Sequence, residues 1–204
     1  MAELIKVKIR HGFPEPTLDE RKSFWLWSYA RQCFLDVDEM CKALLHDKTK
    51  PAKTVQKALL SATVVSYAKP FTRWHGVGSL DHAIVPPQHR KLHSLLMDFR
   101  NKVFAHIDPK NFQADDPSFG NINQVRIQFS NGEWAISVMN PGGFDVTELK
   151  LLATKLREKA DHWMDRFSRK YLVRHNMRDG LYVINLDASK PGAFIPVHPK
   201  HSII

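Results

Sequence analysis

The sequence predicts a mainly α-helical fold, a four-helix up-and-down bundle with a β-hairpin inserted between helices three and four. Four long segments repeat apolar residues at the spacing of a helix face. Two alternating runs, VRIQFS and EWAISVM, flank Asn131-Gly132, a pair typical of two-residue hairpin turns. Hydrophobic residues make up 43% of the 204 residues and charged residues 25%, which is the composition of a globular protein.

The chain is expected to form one helical domain with an arm at each end. Residues 1–16 form the N-terminal arm, where LIKVKI alternates apolar and basic residues as in a short strand. The helical domain spans 17–173, with the hairpin at about 124–139. Residues 174–204 form a C-terminal arm in which LYVINL favours a strand. Whether this arm packs on the bundle or on a partner stays open.

The first two helices are predicted from their start signals and apolar spacing. Thr17 and Glu20 form a capping box, from which the first helix runs to about residue 46. The second helix runs from about residue 52 to 68 and ends before Pro70. The apolar stripe of the first helix is Leu26, Ala30, Cys33, Val37, Met40 and Leu44. The face of the second helix is assigned to Val55, Leu59 and Ala62, widened by Leu60 and Val64.

The third and fourth helices show the clearest stripes. The third follows Pro86-Pro87 and is stopped by Asp108-Pro109. The fourth runs over about 145–172. Their apolar stripes are Leu92, Leu96, Phe99 and Val103 in the third helix, and Leu149, Leu152, Ala153, Leu156, Ala160, Trp163 and Phe167 in the fourth. Trp25, Trp134 and Trp163 are interpreted as core residues, and Tyr67 and Phe71 as packing beside the third helix, with Tyr67 within reach of its polar groups.

The two cysteines and the lack of targeting signals indicate a cytoplasmic protein. Cys33 and Cys41 lie eight residues apart on one helix, about 12 Å, too far to form a disulfide with each other. No apolar run approaches the roughly 20 residues of a membrane span. We therefore expect small buried thiols and no membrane partner.

The net charge of +9 and the pI of about 9.6 point to a polyanionic partner, nucleic acid first. Seven Lys or Arg and one acid lie between Lys42 and Arg73, and five Lys or Arg and no acid lie between Arg166 and Arg178. A solvated basic face explains each stretch equally well. No Gly-rich phosphate loop, nucleophile elbow or pair of catalytic carboxylates is present.

The segment LHSLLMDFRNKVFAHIDP, residues 92–109, places Arg100-Asn101 shortly before His106 at the end of a helix. Upstream, SYAKPF (66–71) closes the preceding helix. This combination resembles the Arg-polar-x4-His signature of HEPN domains, as found in a family of small bacterial HEPN-like proteins. The resemblance covers roughly residues 20–172 and leaves out both arms.

The resemblance implies a metal-independent ribonuclease built at a homodimer interface, in a defence or toxin–antitoxin setting with an antitoxin partner. His106 would be the general base or acid, Arg100 would clamp the phosphate, and Asn101 would orient either group. His93, on the same helix edge as Arg100, is a secondary candidate. We expect no cofactor and no metal. The residues predicted to hold the RNA backbone are Lys102, Lys69, Arg73, Arg169 and Lys170.

The spacing of Arg100 and His106 leaves alternatives open. Six residues of helix turn through about 600°, so the two side chains would point about 120° apart. They would meet if the helix end unwinds or if two copies pool their residues. Otherwise His106 caps carbonyl groups and Arg100 pairs with Asp98 or Asp108. The same bundle would then be a non-catalytic module that binds nucleic acid, nucleotide or protein, or a structural subunit.

Two histidine pairs have metal-ligand spacing. His89 and His93 are four residues apart on a helix, but no carboxylate accompanies them as in HExxH. His198 and His201 in HPKH would bind metal only adventitiously. Neither pair predicts a metal centre.

Overall fold

A computed structural model describes residues 15–46, 52–101, 144–172, 182–189 and 192–196, together with the backbone of 125–130 and 133–138. The predicted mainly helical class with one small inserted hairpin is confirmed over these residues. The predicted N-terminal strand lies outside them.

The four helices are α1 (Leu18–Leu45), α2 (Lys53–Ala68), α3 (Arg90–Phe99) and α4 (Val146–Phe167). The predicted capping box is confirmed, since Thr17 and Glu20 bond reciprocally at the start of α1. A 3₁₀ turn at residues 87–89 leads into α3, and a π-helical turn at residues 168–172 follows α4. α1 packs along α4 on one side and α2 on the other, while α3 packs on α2.

Two antiparallel hairpins complete the described chain. β1 (Val125–Ser130) pairs with β2 (Glu133–Val138), which confirms the predicted hairpin between α3 and α4. β3 (Tyr182–Ile184) pairs with β4 (Phe194–Pro196) in the C-terminal arm.

The core lies between α1, α4, α2 and α3, and the predicted stripes mostly supply it. Both cysteines are free and buried, as expected. Trp25 and Trp163 are only partly buried, and Trp25 packs against the core as predicted. The side chain of Trp134 lies outside the described residues. The fully buried side chains include Phe34, Val37, Leu96, Phe99, Leu149, Leu152 and Leu156.

The predicted inner face of α2 is wrong at Val55 and Ala62 and correct at Val64. Val55 is 48% exposed and Ala62 is exposed, whereas Thr63, Val64 and Tyr67 are buried. Two of these buried residues carry hydroxyl groups, and the spacing of apolar residues does not predict that such side chains are buried. They are tolerated because Thr63 Oγ1 donates to the carbonyl of Leu59 at 2.6 Å and Tyr67 finds a side-chain partner.

The connection between α2 and α3 folds back on the helix end. Trp74 and Gly78 form a β-bridge around a tight turn, where Gly76 and Gly78 have φ of 79° and 102°, values that favour glycine. The Leu80 N–H then donates to the Pro70 carbonyl at 2.8 Å. The following 3₁₀ turn carries His82 back toward α3.

The C-terminal arm packs on the bundle where it is described. Arg21 Nη1 on α1 donates to the Asn185 carbonyl at 2.5 Å. The Phe194 ring of β4 lies edge-on to Phe167 of α4, with 6.5 Å between ring centroids. Of the two alternatives for this arm, the described residues favour the bundle.

Candidate functional site

The end of α3 brings Arg100 and Asn101 together. The Arg100 N–H donates to the carbonyls of Leu96 and Met97, so the backbone stays helical past the last α-helical residue. Arg100 Nη1 donates to Asn101 Oδ1 at 2.9 Å. Arg100 is partly exposed and Asn101 is exposed. A guanidinium and an amide side by side offer several N–H donors to an anion arriving from solvent.

The other half of the predicted motif, with Lys102, His106 and Asp108, lies outside the described residues. The convergence of Arg100 with His106 therefore stays a prediction. The alternative ion pair between Arg100 and Asp98 is not formed in the described part of the chain.

His93 lies in the interior, at 5% exposure, and both of its ring nitrogens are engaged. Nδ1 lies 2.8 Å from the Tyr67 hydroxyl, and Nε2 lies 2.6 Å from Nδ1 of His82. Phe71 packs edge-on against the imidazole at 4.7 Å between centroids. A hydrogen-bonded chain thus runs from buried Tyr67 through His93 to exposed His82.

Burial determines which side chains of this hydrogen-bonded series carry protons. Burial, and secondly the neighbouring His82, lower the pKa of His93 from 6.5 to about 4, so the ring is neutral at pH 7. Burial raises the pKa of the Tyr67 phenol far above its usual value, so it keeps its proton. Tyr67 then donates to Nδ1, and Nε2–H donates to His82. His93 is therefore arranged to hold its neighbours in place, and its predicted part in cleavage stays a prediction.

The SYAKPF segment makes this arrangement possible. It puts Tyr67 in the last turn of α2 and Pro70 and Phe71 in the 3₁₀ turn that ends it. Tyr67 faces α3 as predicted, within reach of its polar groups. His82 was not identified from the sequence, because its partner is fixed by the fold of the intervening loop.

Lys69 and Arg73, two of the predicted backbone-binding residues, are exposed just after α2. Arg169 is also open to solvent, with 77% of its side chain exposed, and pairs with Asp165 at 2.8 Å. Such an exposed pair contributes little to the stability of the fold. These three positions are accessible, and their contact with RNA stays a prediction.

Lys170 is more firmly engaged. Its Nζ donates to Glu20 at 2.8 Å, and the Tyr171 hydroxyl donates to the same carboxylate. The bonds from Lys170, Tyr171 and the Thr17 backbone lower the pKa of Glu20 from 4.5 to about 2. This network ties the start of α1 to the turn after α4, which gives Lys170 a structural task that the basic stretch did not indicate.

A cleft on the outer side of α4 was not identified from the sequence. It is open, with a volume of about 470 Å³. Its α4 side carries four basic or imidazole side chains, and two tryptophans line it from α1 and α4. We call it the α4 cleft, defined by Trp27, Lys155, Lys159, His162, Trp163 and Arg166.

A signal for the α4 cleft was present in the sequence. Lys155, Lys159, His162 and Arg166 are spaced four, three and four residues apart, which places them on one helix face. These four residues do not form a run of basic residues, because apolar and acidic residues stand between them. Trp27 comes from another helix, so no local pattern links it to this stripe.

The histidine pair with metal spacing does not converge. His93 bonds to Tyr67 and His82, whereas His89 Nδ1 lies 3.2 Å from Glu148 Oε1. Among the described residues, no three His, Cys, Asp or Glu side chains cluster as metal ligands would. His198 and His201 lie outside them.

Comparison of the chain with protein-family models, with curated proteins and with solved structures finds no match. Among the described helices, none is both long and apolar enough to cross a bilayer.

Proposed function

We propose that this chain is a HEPN-like protein that cleaves RNA without a metal ion. The observation that supports the proposal is the Arg100–Asn101 pair, hydrogen-bonded at 2.9 Å at the accessible end of α3. Five residues further along the sequence, His106 supplies a group that titrates near neutral pH.

In the proposed reaction, His106 takes the proton of a ribose 2′-hydroxyl while that oxygen bonds to the adjacent phosphorus. The bond to the 5′-oxygen breaks, and that oxygen takes a proton from water as it leaves. The products are a 2′,3′-cyclic phosphate and a 5′-hydroxyl. Arg100 holds the phosphate oxygens as charge accumulates, and Asn101 orients the guanidinium. His93 acts as a positioning residue that fixes α3 against α2.

The setting follows from the HEPN resemblance. We propose a homodimer in the cytoplasm, acting in phage defence or as a toxin held in check by an antitoxin. Lys102, Lys69, Arg73, Arg169 and Lys170 would hold the RNA backbone by charge.

The test is RNA cleavage in EDTA by wild type, Arg100→Ala and His106→Ala. We expect cyclic-phosphate ends from wild type and a loss of at least about 100-fold in each variant, typical of a removed acid–base or charge-stabilising group. Arg90→Ala is the matched control, since Arg90 is exposed at the opposite end of α3. Cleavage that survives in both variants would reject the site.

A second candidate, an RNA-binding module that does not cleave, is favoured by the α4 cleft. Its cations and tryptophans are suited to hold a strand. RNA that binds with wild-type affinity but stays intact under all conditions would select this candidate.

A further inference from the structure

We propose that the α4 cleft binds unpaired nucleotides of single-stranded RNA, with a base against its tryptophans and phosphates against its cations. The inference shares with the proposed function only the assumption that the ligand is RNA. It requires neither cleavage nor any contact with Arg100.

The aromatic side of the cleft is a stack of rings. Trp27 and Trp163 are nearly parallel, 18° apart with centroids at 6.1 Å. Trp163 also packs against Phe167, with 5.7 Å between the ring centroids and 19° between the ring planes. Both tryptophans line the cleft and are only partly buried. Two partly exposed indole rings in an open cleft offer aromatic surface against which an unpaired base can pack.

The charged side of the cleft is positive. Lys155, Lys159 and Arg166 line it with His162, against one carboxylate, Glu158. Lys159 Nζ donates to the Ile84 carbonyl at 2.6 Å, which anchors this cation at the edge that leads to α3. Lys155 and Arg166 are exposed and flank the tryptophans along the helix. Eleven residues of helix separate them by about 16 Å, so one strand meets both.

The shape of the cleft favours a single strand over a duplex. Stacking on a side-chain ring needs a base whose face is free, which paired bases in a helix do not offer. The volume of about 470 Å³ lies in the range of sites that take small organic groups such as a base with its sugar.

The α4 cleft is separate from the Arg100–Asn101 pair. Gln88 at the edge of the cleft precedes α3, and Arg100 follows it. The ten residues of α3 span about 15 Å. Binding in the cleft and chemistry at Arg100 can therefore be tested independently.

The test measures the anisotropy of a short labelled 2′-O-methyl RNA strand, which cannot be cleaved because its 2′-oxygen is blocked. We expect Lys155→Glu and Arg166→Glu each to weaken binding about tenfold, and Trp163→Ala by a similar factor. Trp163→Phe should retain most of the affinity, since phenylalanine keeps a ring. Lys91→Glu, the same charge change at an exposed position of α3 outside the cleft, should alter affinity by less than about twofold.

Three results would overturn the proposal. These are no binding by wild type, an equal loss in Lys91→Glu, and duplex bound as tightly as the single strand. If circular dichroism shows that Trp163→Ala is unfolded, the two charge reversals at exposed positions decide the test. This inference is distinguished from the ribonuclease proposal if the cleft variants bind RNA more weakly but cleave the RNA that they do bind at the wild-type rate.

Discussion

His93 illustrates how a residue that the sequence singles out can have an unexpected environment. It was noted because it shares a helix edge with Arg100. In the structure, its two ring nitrogens join Tyr67 on α2 to His82 in the following loop. A neutral imidazole serves both contacts, since it accepts at one nitrogen and donates at the other.

Protonation of His93 should destabilise the fold. The pKa of His93 is about 4 in the folded chain and 6.5 in its ordinary state, so below pH 6.5 the unfolded chain binds a proton that the folded chain excludes. The stabilisation is complete above pH 6.5 and is lost as pH falls toward 4. We expect the free energy of unfolding to drop by about 2 kcal/mol between pH 7 and pH 5 from this group. Urea titrations at both pH values measure it.

The variant His93→Gln isolates this effect. It should be less stable than wild type at pH 7 but lose about 2 kcal/mol less on acidification, because glutamine does not titrate. His75→Gln, at an exposed histidine in the neighbouring turn, should keep the wild-type dependence. An unchanged pH dependence in His93→Gln would assign the acid sensitivity to other groups.

The partners of His93 could not be predicted, for a physical reason. Tyr67 lies 26 residues away and His82 lies 11 residues away. Local periodicity shows which face of a helix is apolar. It does not assign a polar side chain to that face, because the hydrogen-bond partner that would allow its burial lies far away in the sequence. The same reason explains why Thr63 was missed on the inner face of α2.

The helix α4 shows what periodicity does predict. Its inner stripe was assigned correctly except at Trp163, because a long helix with regular spacing has only one arrangement that buries its apolar residues. The α4 cleft lies beside this stripe, where residues of α1 and of the turn before α3 meet α4, and local spacing does not predict such a meeting. The adjacent residues Leu151 and Leu152 show the boundary between the exposed and the buried face of α4, since they are 54% and 0% exposed.

These adjacent leucines provide a matched test of the packing. Leu152→Ala should lower the free energy of unfolding by about 2–5 kcal/mol, since it removes buried methyl groups and leaves a cavity. Leu151→Ala should change it by less than about 0.5 kcal/mol. Chemical denaturation of both variants measures the difference. Equal losses would mean that Leu151 is covered in solution, by another copy or by a part of the chain outside the described residues.

The molecule as a whole is held together by contacts distant in sequence. Glu20 at the start of α1 binds Lys170 after α4, and the neighbouring Arg21 binds Asn185, 164 residues away. The mainly helical class and the hairpin were predictable because each depends on local spacing and turn residues. The docking of the C-terminal arm was not, since nothing local distinguishes an arm packed on its own bundle from one that binds a partner.

The assembly of the whole molecule determines how the proposed ribonuclease would form. We propose the second arrangement that the sequence allows, a site that takes Arg100 from one copy and His106 from its partner. Mixed dimers of Arg100→Ala and His106→Ala chains, isolated by two different tags, would then contain one intact and one doubly defective site. We expect them to regain roughly half of the wild-type cleavage, while each variant alone stays inactive. Inactive mixed dimers, with both variants folded and dimeric by light scattering, would place both residues of the site in one chain. A monomeric wild type that cleaves RNA would contradict the shared site and leave the chemistry intact.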